Sequence, residues 1–135
     1  MSVYVRLRIA AEAYAVSVQH VLQVAVLDQV TAVPGAPPAM LGVWNLRGQI
    51  LPVVDLAQLL RIPGPASPAR LLVAEAGDQQ AAFAIDDVSE VGELADPTQE
   101  TMSDLLVGAT LADGDLIGVI DVPRVFDSLR GRGSD

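Results

Sequence analysis

Cysteine and lysine are both absent from the 135 residues, and histidine occurs once, as His20. Without cysteine there is no disulfide framework, no thiol nucleophile and no thiolate metal ligand. Without lysine there is no Schiff-base amine, and nothing in a glycine-rich loop to reach a phosphate. One histidine cannot build a histidine-rich metal site. Long apolar runs are missing too: stretches such as Gln49–Asp55 are of strand length, far short of the ~18 apolar residues a spanning helix needs. The first residues, Met1 to Arg6, have neither a basic leader nor a sustained apolar segment. The composition therefore predicts a cytoplasmic chain with no direct membrane insertion and no cofactor or metal.

What is present is acid and apolar surface. Seventeen acidic residues face eight basic ones, all arginine, for a net charge of −9. Such a chain repels phosphate backbones, so nucleic-acid binding is not expected. Twelve of the acids fall between Leu71 and Pro123, where no basic residue occurs. A hydrophobic content of 51% supplies a packed core.

Period-two alternation dominates and predicts strands. Val3, Val5, Leu7 and Ile9 are expected on one face, with Tyr4, Arg6 and Arg8 on the other. Tyr14, Val16 and Val18 predict a hairpin partner, and the pattern slips near Gln19-His20, as at a bulge or half-turn where a strand bends around a barrel. Prolines 34, 37 and 38 mark an irregular connection. Strands at about Gly42–Leu46 and Gln49–Val54 flank a tight turn, Arg47-Gly48. Further hairpins are predicted around Gly77-Asp78 and Asp113-Gly114-Asp115, with another strand at Val88–Leu94. Residues 95–104 read as a polar loop. Asp55 and Asp121 read as N-caps of short helical turns, Leu56–Leu60 and Val122–Leu129, followed by a frayed tail, Arg130–Asp135.

One internal echo organises these pieces. Residues 48–60 align without gaps on residues 114–126: a glycine turn, a six-residue apolar strand, an aspartate cap and an apolar helical turn. Two copies of one unit predict two small β-barrels rather than a βαβ sheet. The proline-rich stretch 62–68 is the expected boundary between them within a single 1–135 domain, with the termini able to exchange between barrels.

No catalytic constellation emerges. His20 has no partner motif, Ser17 lacks a nucleophile elbow, and Asp86-Asp87 reads as a turn or strand end. Asp113-Gly114-Asp115 lacks the later ligands of a calcium loop. Arg47 is the more pointed feature. It is the only arginine between Arg8 and Arg61, and it stands on a tight turn beside Trp44, Asn45 and Leu46. Trp and Arg are the side chains most enriched in binding hot spots, although Trp44 suits a core position equally well.

The segment Gly42-Val43-Trp44-Asn45-Leu46-Arg47-Gly48-Gln49-Ile50-Leu51-Pro52-Val53-Val54-Asp55-Leu56 resembles the signature of the CheW-like domain family. Tyr14 to Val18, Val30 to Pro34, Ile85 to Val91 and Gly118 to Phe126 are similar to its other strands and its last helix. The resemblance implies an all-β fold of two intertwined SH3-like five-stranded barrels with short helical turns. It also implies a non-catalytic chemotaxis adaptor linking the signalling tip of a chemoreceptor to the regulatory domain of a CheA-type histidine kinase at membrane-associated arrays. The receptor groove then maps onto Val21, Gly42, Asn45, Leu46 and Arg47, with Val88 and Val91 nearby, and kinase contacts fall on the barrel ends. Two other readings stay open at this point. One is a CheW-like scaffold of a pilus-motility or polar-localisation system. The other is a small ligand-binding or enzymatic domain, which needs a polar pocket around His20 or Asp86.

Overall fold

The computed structural model describes residues 2–98 and 103–133. Among them the chain runs β1 (Ser2–Ile9), β2 (Glu12–Ser17), a 3-10 turn (Val18–His20), β3 (Val21–Val26), β4 (Met40–Leu46) and β5 (Gln49–Asp55). It continues through α1 (Leu56–Leu59), β6 (Arg70–Ala76), β7 (Gln79–Ile85), β8 (Asp87–Leu94), β9 (Leu106–Ala112), β10 (Asp115–Ile120) and α2 (Val122–Gly133). The fold is all-β, as the alternation predicts.

Two five-stranded sheets form, in the orders β8-β1-β2-β10-β9 and β3-β6-β7-β5-β4. Their pairings correspond strand for strand. In each, an edge strand joins a hairpin, the hairpin meets one parallel neighbour (β10 beside β2, β5 beside β7), and that neighbour pairs with the last strand. The sequence echo is the parallel strand plus its helix, and a threonine bridge extends the correspondence. Thr31 follows β3 and pairs with Val43 of β4, while Thr98 follows β8 and pairs with Ala109 of β9. Each bridge closes its sheet toward a small SH3-like barrel.

The central strands β6 and β7 are buried on both faces, which accounts for unbroken apolar runs such as Leu71 to Ala74 and Ala81 to Ile85. One cluster lies between the sheets and joins Val5, Leu7, Ile9 and Val16 to Leu72, Phe83, Ile85 and Phe126. A second, of Tyr4, Ala15, Leu94, Ile117 and Val119, fills the first barrel. A third, of Val53, Leu71, Ala82 and Ala84, fills the other, with Trp44 packed against it. The indole is thus core to the second barrel. Alternate residues of one strand serve alternate clusters: Leu71 points into a barrel and Leu72 between the barrels.

Several expectations need correction. The proline-rich stretch 62–68 divides nothing, because β6 and β7 stay in the sheet of β3, β4 and β5. The chain changes sheets at Val18–His20 and again at Asp86, so β1 and β2 pair with the three C-terminal strands. The half-turn expected near Gln19-His20 is present as the 3-10 turn Val18–His20, and it carries the chain from one sheet to the other rather than around one barrel. Tyr4 is buried and Val3 is exposed, since the first barrel has an interior of its own. The last helix does not end at Leu129 but continues to Gly133. Residues 99–102 of the expected polar loop and residues 134–135 of the tail lie outside the described residues. The two caps form where predicted: Asp55 Oδ1 accepts from the Ala57 N–H at 3.1 Å, and Asp121 Oδ1 from the Arg124 N–H at 3.1 Å.

Candidate functional site

Cross-strand partners in a ladder point to the same side of their sheet, so register shows which side chains face the space between the barrels. On β1 and β8, Val5 lies opposite Val91, Leu7 opposite Val88 and Val3 opposite Glu93. Val5 and Leu7 belong to the central cluster, so Val88, Val91 and Glu93 share that side. On β3 and β6, Val21 lies opposite Ala74, Val24 opposite Leu72 and Val26 opposite Arg70. Leu72 and Ala74 belong to the same cluster, so Val21, Val24 and Val26 face that space too. Both β3 and β8 are edge strands. Arg70 Nε lies 4.0 Å from Asp87 Oδ1, which places the first turnward end of β8 next to the Val26 end of β3.

Register thus turns valines of two corresponding edge strands, β3 and β8, toward the side of the central cluster. Val21 and Val88 are half-buried against that cluster. Val26 and Val91 stay in solvent, 60% and 59% exposed. Val24 and Val26 carry no sequence motif and were missed for that reason. Only the register of β3 against β6 shows where they point.

Asn45, Leu46 and Arg47 are in a different place. They occupy the β4–β5 hairpin, whose tip lies level with the β6–β7 turn because β5 runs parallel to β7 with Val53 opposite Ala82. The start of β3 is at this same end of the barrel, since Val21 pairs with Ala74 near the close of β6. Arg47 and Gly48 have φ of 52° and 88°, the left-handed pair of a type I′ turn. Asn45 Oδ1 accepts the Gly48 N–H at 2.7 Å and fixes this turn. Arginine is a poor left-handed residue, at a cost of about 1–2 kcal/mol. Here it is exposed and makes no ion pair among the described residues. Asp113-Gly114, at the equivalent turn, has φ of 54° and 82°, but Asp113 is held by Arg6 at 3.1 Å. One hairpin tip is tied down and the other presents an unengaged cation.

Gly42 is buried, and a Cβ there would fall 2.1 Å from the Thr31 carbonyl oxygen. Its role is to let residues 31–32 cross over β4.

Arg6, Tyr14 and His20 each tie parts of the fold together. Arg6 binds Glu90 at 2.6 Å as well as Asp113, and the Glu90 hydrogen bond holds its pKa above the ordinary arginine value. Burial, aided by a hydrogen bond donated to Glu12, raises the Tyr14 phenol well above the ordinary tyrosine range. His20 Nδ1 lies 3.0 Å from the Glu75 carbonyl oxygen. That oxygen only accepts, so the imidazole donates and ties the crossing between sheets to β6. An open cleft of about 1390 Å³ is bordered by Tyr14, Leu60, Arg61 and Leu106. Neither this cleft nor the smaller one beside Arg6 and Glu90 is lined by His20 or Asp86, by the valines of β3 and β8 or by the Arg47 turn. Among the described residues no group of three histidine, aspartate or glutamate side chains is placed to hold a metal, and no helix is long and apolar enough to cross a membrane.

Comparison with known proteins decides the family. The model of the CheW-like domain matches residues 3–130. The chain belongs to the CheW-like domain family. This CheW-like domain is 32% identical over 130 residues to a probable chemotaxis protein CheW of Rhizobium etli, covering 88% of this chain and 83% of that one. It is 33% identical over 127 residues to the chemotaxis protein CheW of Helicobacter pylori, covering 87% and 77%. Its fold matches the crystal structure of the scaffolding protein TtCheW from Thermoanaerobacter tengcongensis with a TM-score of 0.80 at 28% identity, over 90% of this chain and 84% of that one. This CheW-like domain is accordingly a scaffold of the chemotaxis type.

Proposed function

We propose that this CheW-like domain is a non-catalytic adaptor working in the cytoplasm at receptor arrays, where it couples a chemoreceptor to a CheA-type histidine kinase. The observation that carries the reading is the row of valines that β3 and β8 turn toward the side of the central cluster, which we read as the two sides of a groove. Its valines stay in solvent although both strands are anchored on the largest cluster of the protein. An amphipathic helix laid in such a groove buries its apolar stripe there, and the receptor's signalling tip supplies that helix. Arg47, held on a fixed turn, adds a directional contact from the end of the barrel. The regulatory domain of the kinase meets the barrel ends. There Leu111 and Leu116, direct cross-strand partners in β9 and β10, are 69% and 70% exposed, and Ile50 stands exposed at the position that echoes Leu116.

The test is kinase activation by receptor in a reconstituted array. Arg47→Ala and Val91→Asp, both changes at exposed residues, should retain the wild-type circular dichroism spectrum and lose receptor-dependent stimulation. Unchanged coupling in both variants sinks the reading. Full stimulation of a type IV pilus kinase, with none of a flagellar one, moves the domain to the pilus-motility alternative.

A further inference from the structure

We infer that Glu93 sets the charge preference of the groove, selecting a partner helix with an arginine or lysine one turn away from an apolar anchor. The inference rests on the groove reading above. Strand β8 carries three acids. Asp87 stands beside Arg70. Glu90 is bound by Arg6 at 2.6 Å, on the far side of the sheet. Glu93 makes no hydrogen bond or ion pair among the described residues and is exposed. Its partner across the ladder is Val3, two residues from Val5, and Val5 is buried between the barrels. Glu93 and Val91 therefore share the groove side, while Glu90 does not. Arg70, which shares that side as the partner of Val26, is at the opposite end of β8 and already has Asp87 as its neighbour.

Spacing turns this placement into a rule for the partner. Two residues along a strand span about 6.7 Å, and four residues along a helix span about 6.0 Å. A helix running along β8 with an apolar residue over Val91 therefore brings its neighbour one turn away over Glu93. A cation there gains a half-exposed ion pair. A carboxylate there meets a like charge beside an apolar wall, which disfavours it.

The probe is a yeast-displayed library of helical peptides with a fixed leucine stripe and randomised charge positions, selected on wild-type domain, Glu93→Gln, Glu93→Arg and Val91→Asp. On the wild type, arginine or lysine should enrich four residues from a stripe leucine. A selected peptide should bind Glu93→Gln about fivefold more weakly, the scale of an exposed ion pair, with the difference shrinking in molar salt. Glu93→Arg should invert the preference toward acidic residues at that position. Equal basic enrichment on Glu93→Gln, or no charge preference there, overturns the role of Glu93 and leaves the groove standing. Peptides that bind Val91→Asp as well as the wild type, or no enrichment on the wild type over Val91→Asp, overturn the groove reading itself.

Discussion

Replacing Gly42 by alanine separates a structural from a contact role at this position, and the outcome can be worked from distances. The added Cβ lies 2.1 Å from the Thr31 oxygen and 2.7 Å from its carbonyl carbon. A carbon–oxygen contact normally sits near ~3.3 Å, so the crossing strand must retreat by roughly 1 Å. Both obstacles are backbone, so no side chain can swing aside. The retreat strains the two bonds that close the second barrel, Thr31 N–H to the Val43 oxygen at 2.9 Å and Val43 N–H to the Thr31 oxygen at 2.8 Å. Each such bond contributes about 1 kcal/mol net. Gly42 also has a φ of +155°, and an L side chain forced into such a region adds about 1–3 kcal/mol. The total, about 3–5 kcal/mol, is a large part of the ~5–15 kcal/mol that holds a domain folded. At this chain length it corresponds to a Tm lower by about 10–20 °C. Gly48→Ala is the control: its φ is +88° but no atom lies within 4 Å of the new Cβ, so it should cost only about 1 kcal/mol. Urea and thermal melts of the two variants give the comparison. If Gly42→Ala loses no more stability than Gly48→Ala, the crossing does not hold the barrel closed and the reasoning is refuted. Wild-type stability with lost partner binding would assign Gly42 to the contact surface alone.

The Asn45 turn allows a finer test. Asn45→Ala removes the acceptor of the Gly48 N–H and should speed exchange of that amide and cost about 0.5–1.5 kcal/mol, whereas Asn45→Asp keeps an oxygen there and should leave the amide protected; equal exchange in both variants refutes the cap. Tyr14 predicts an alkaline limit. Its folded pKa is raised above the unfolded value of about 10, so the stability it confers is complete below pH 10 and is lost as pH rises beyond it. Denaturant melts between pH 9 and 11 should show a decline that is shallower in Tyr14→Phe, and parallel declines in the two proteins count against it.

The parts of this protein that its sequence makes legible are the local ones. Period-two patterning, the glycine turns and the aspartates before short apolar helices rest on interactions spanning a few residues, and the hairpins and caps stand where they were expected. The echo of residues 48–60 in 114–126 was visible because both copies use the same local grammar. The closing threonines, Thr31 and Thr98, were not, since a single bridge pair leaves no periodic trace. The candidate surface was legible in part. Arg47 announced itself by its scarcity and its turn, but its left-handed backbone and the Asn45 cap appear only in three dimensions. At Gly42 the signature points to a contact, while the structure shows a second reason for glycine: the backbone of Thr31, 11 residues earlier in the chain, leaves no room for a Cβ.

By itself, then, the sequence determined that this is a cysteine-free, lysine-free, acidic chain of short strands, built from two related units and unsuited to thiol, Schiff-base or phosphate-cradling chemistry. Tertiary structure alone decided which strands make which barrel and which side chains line the space between them. The physical reason is the same in both cases. A strand alternates its faces every residue, so one step of register against a partner some 85 residues away, as between Val5 and Val91, decides whether a valine or glutamate faces a partner, a core or open water.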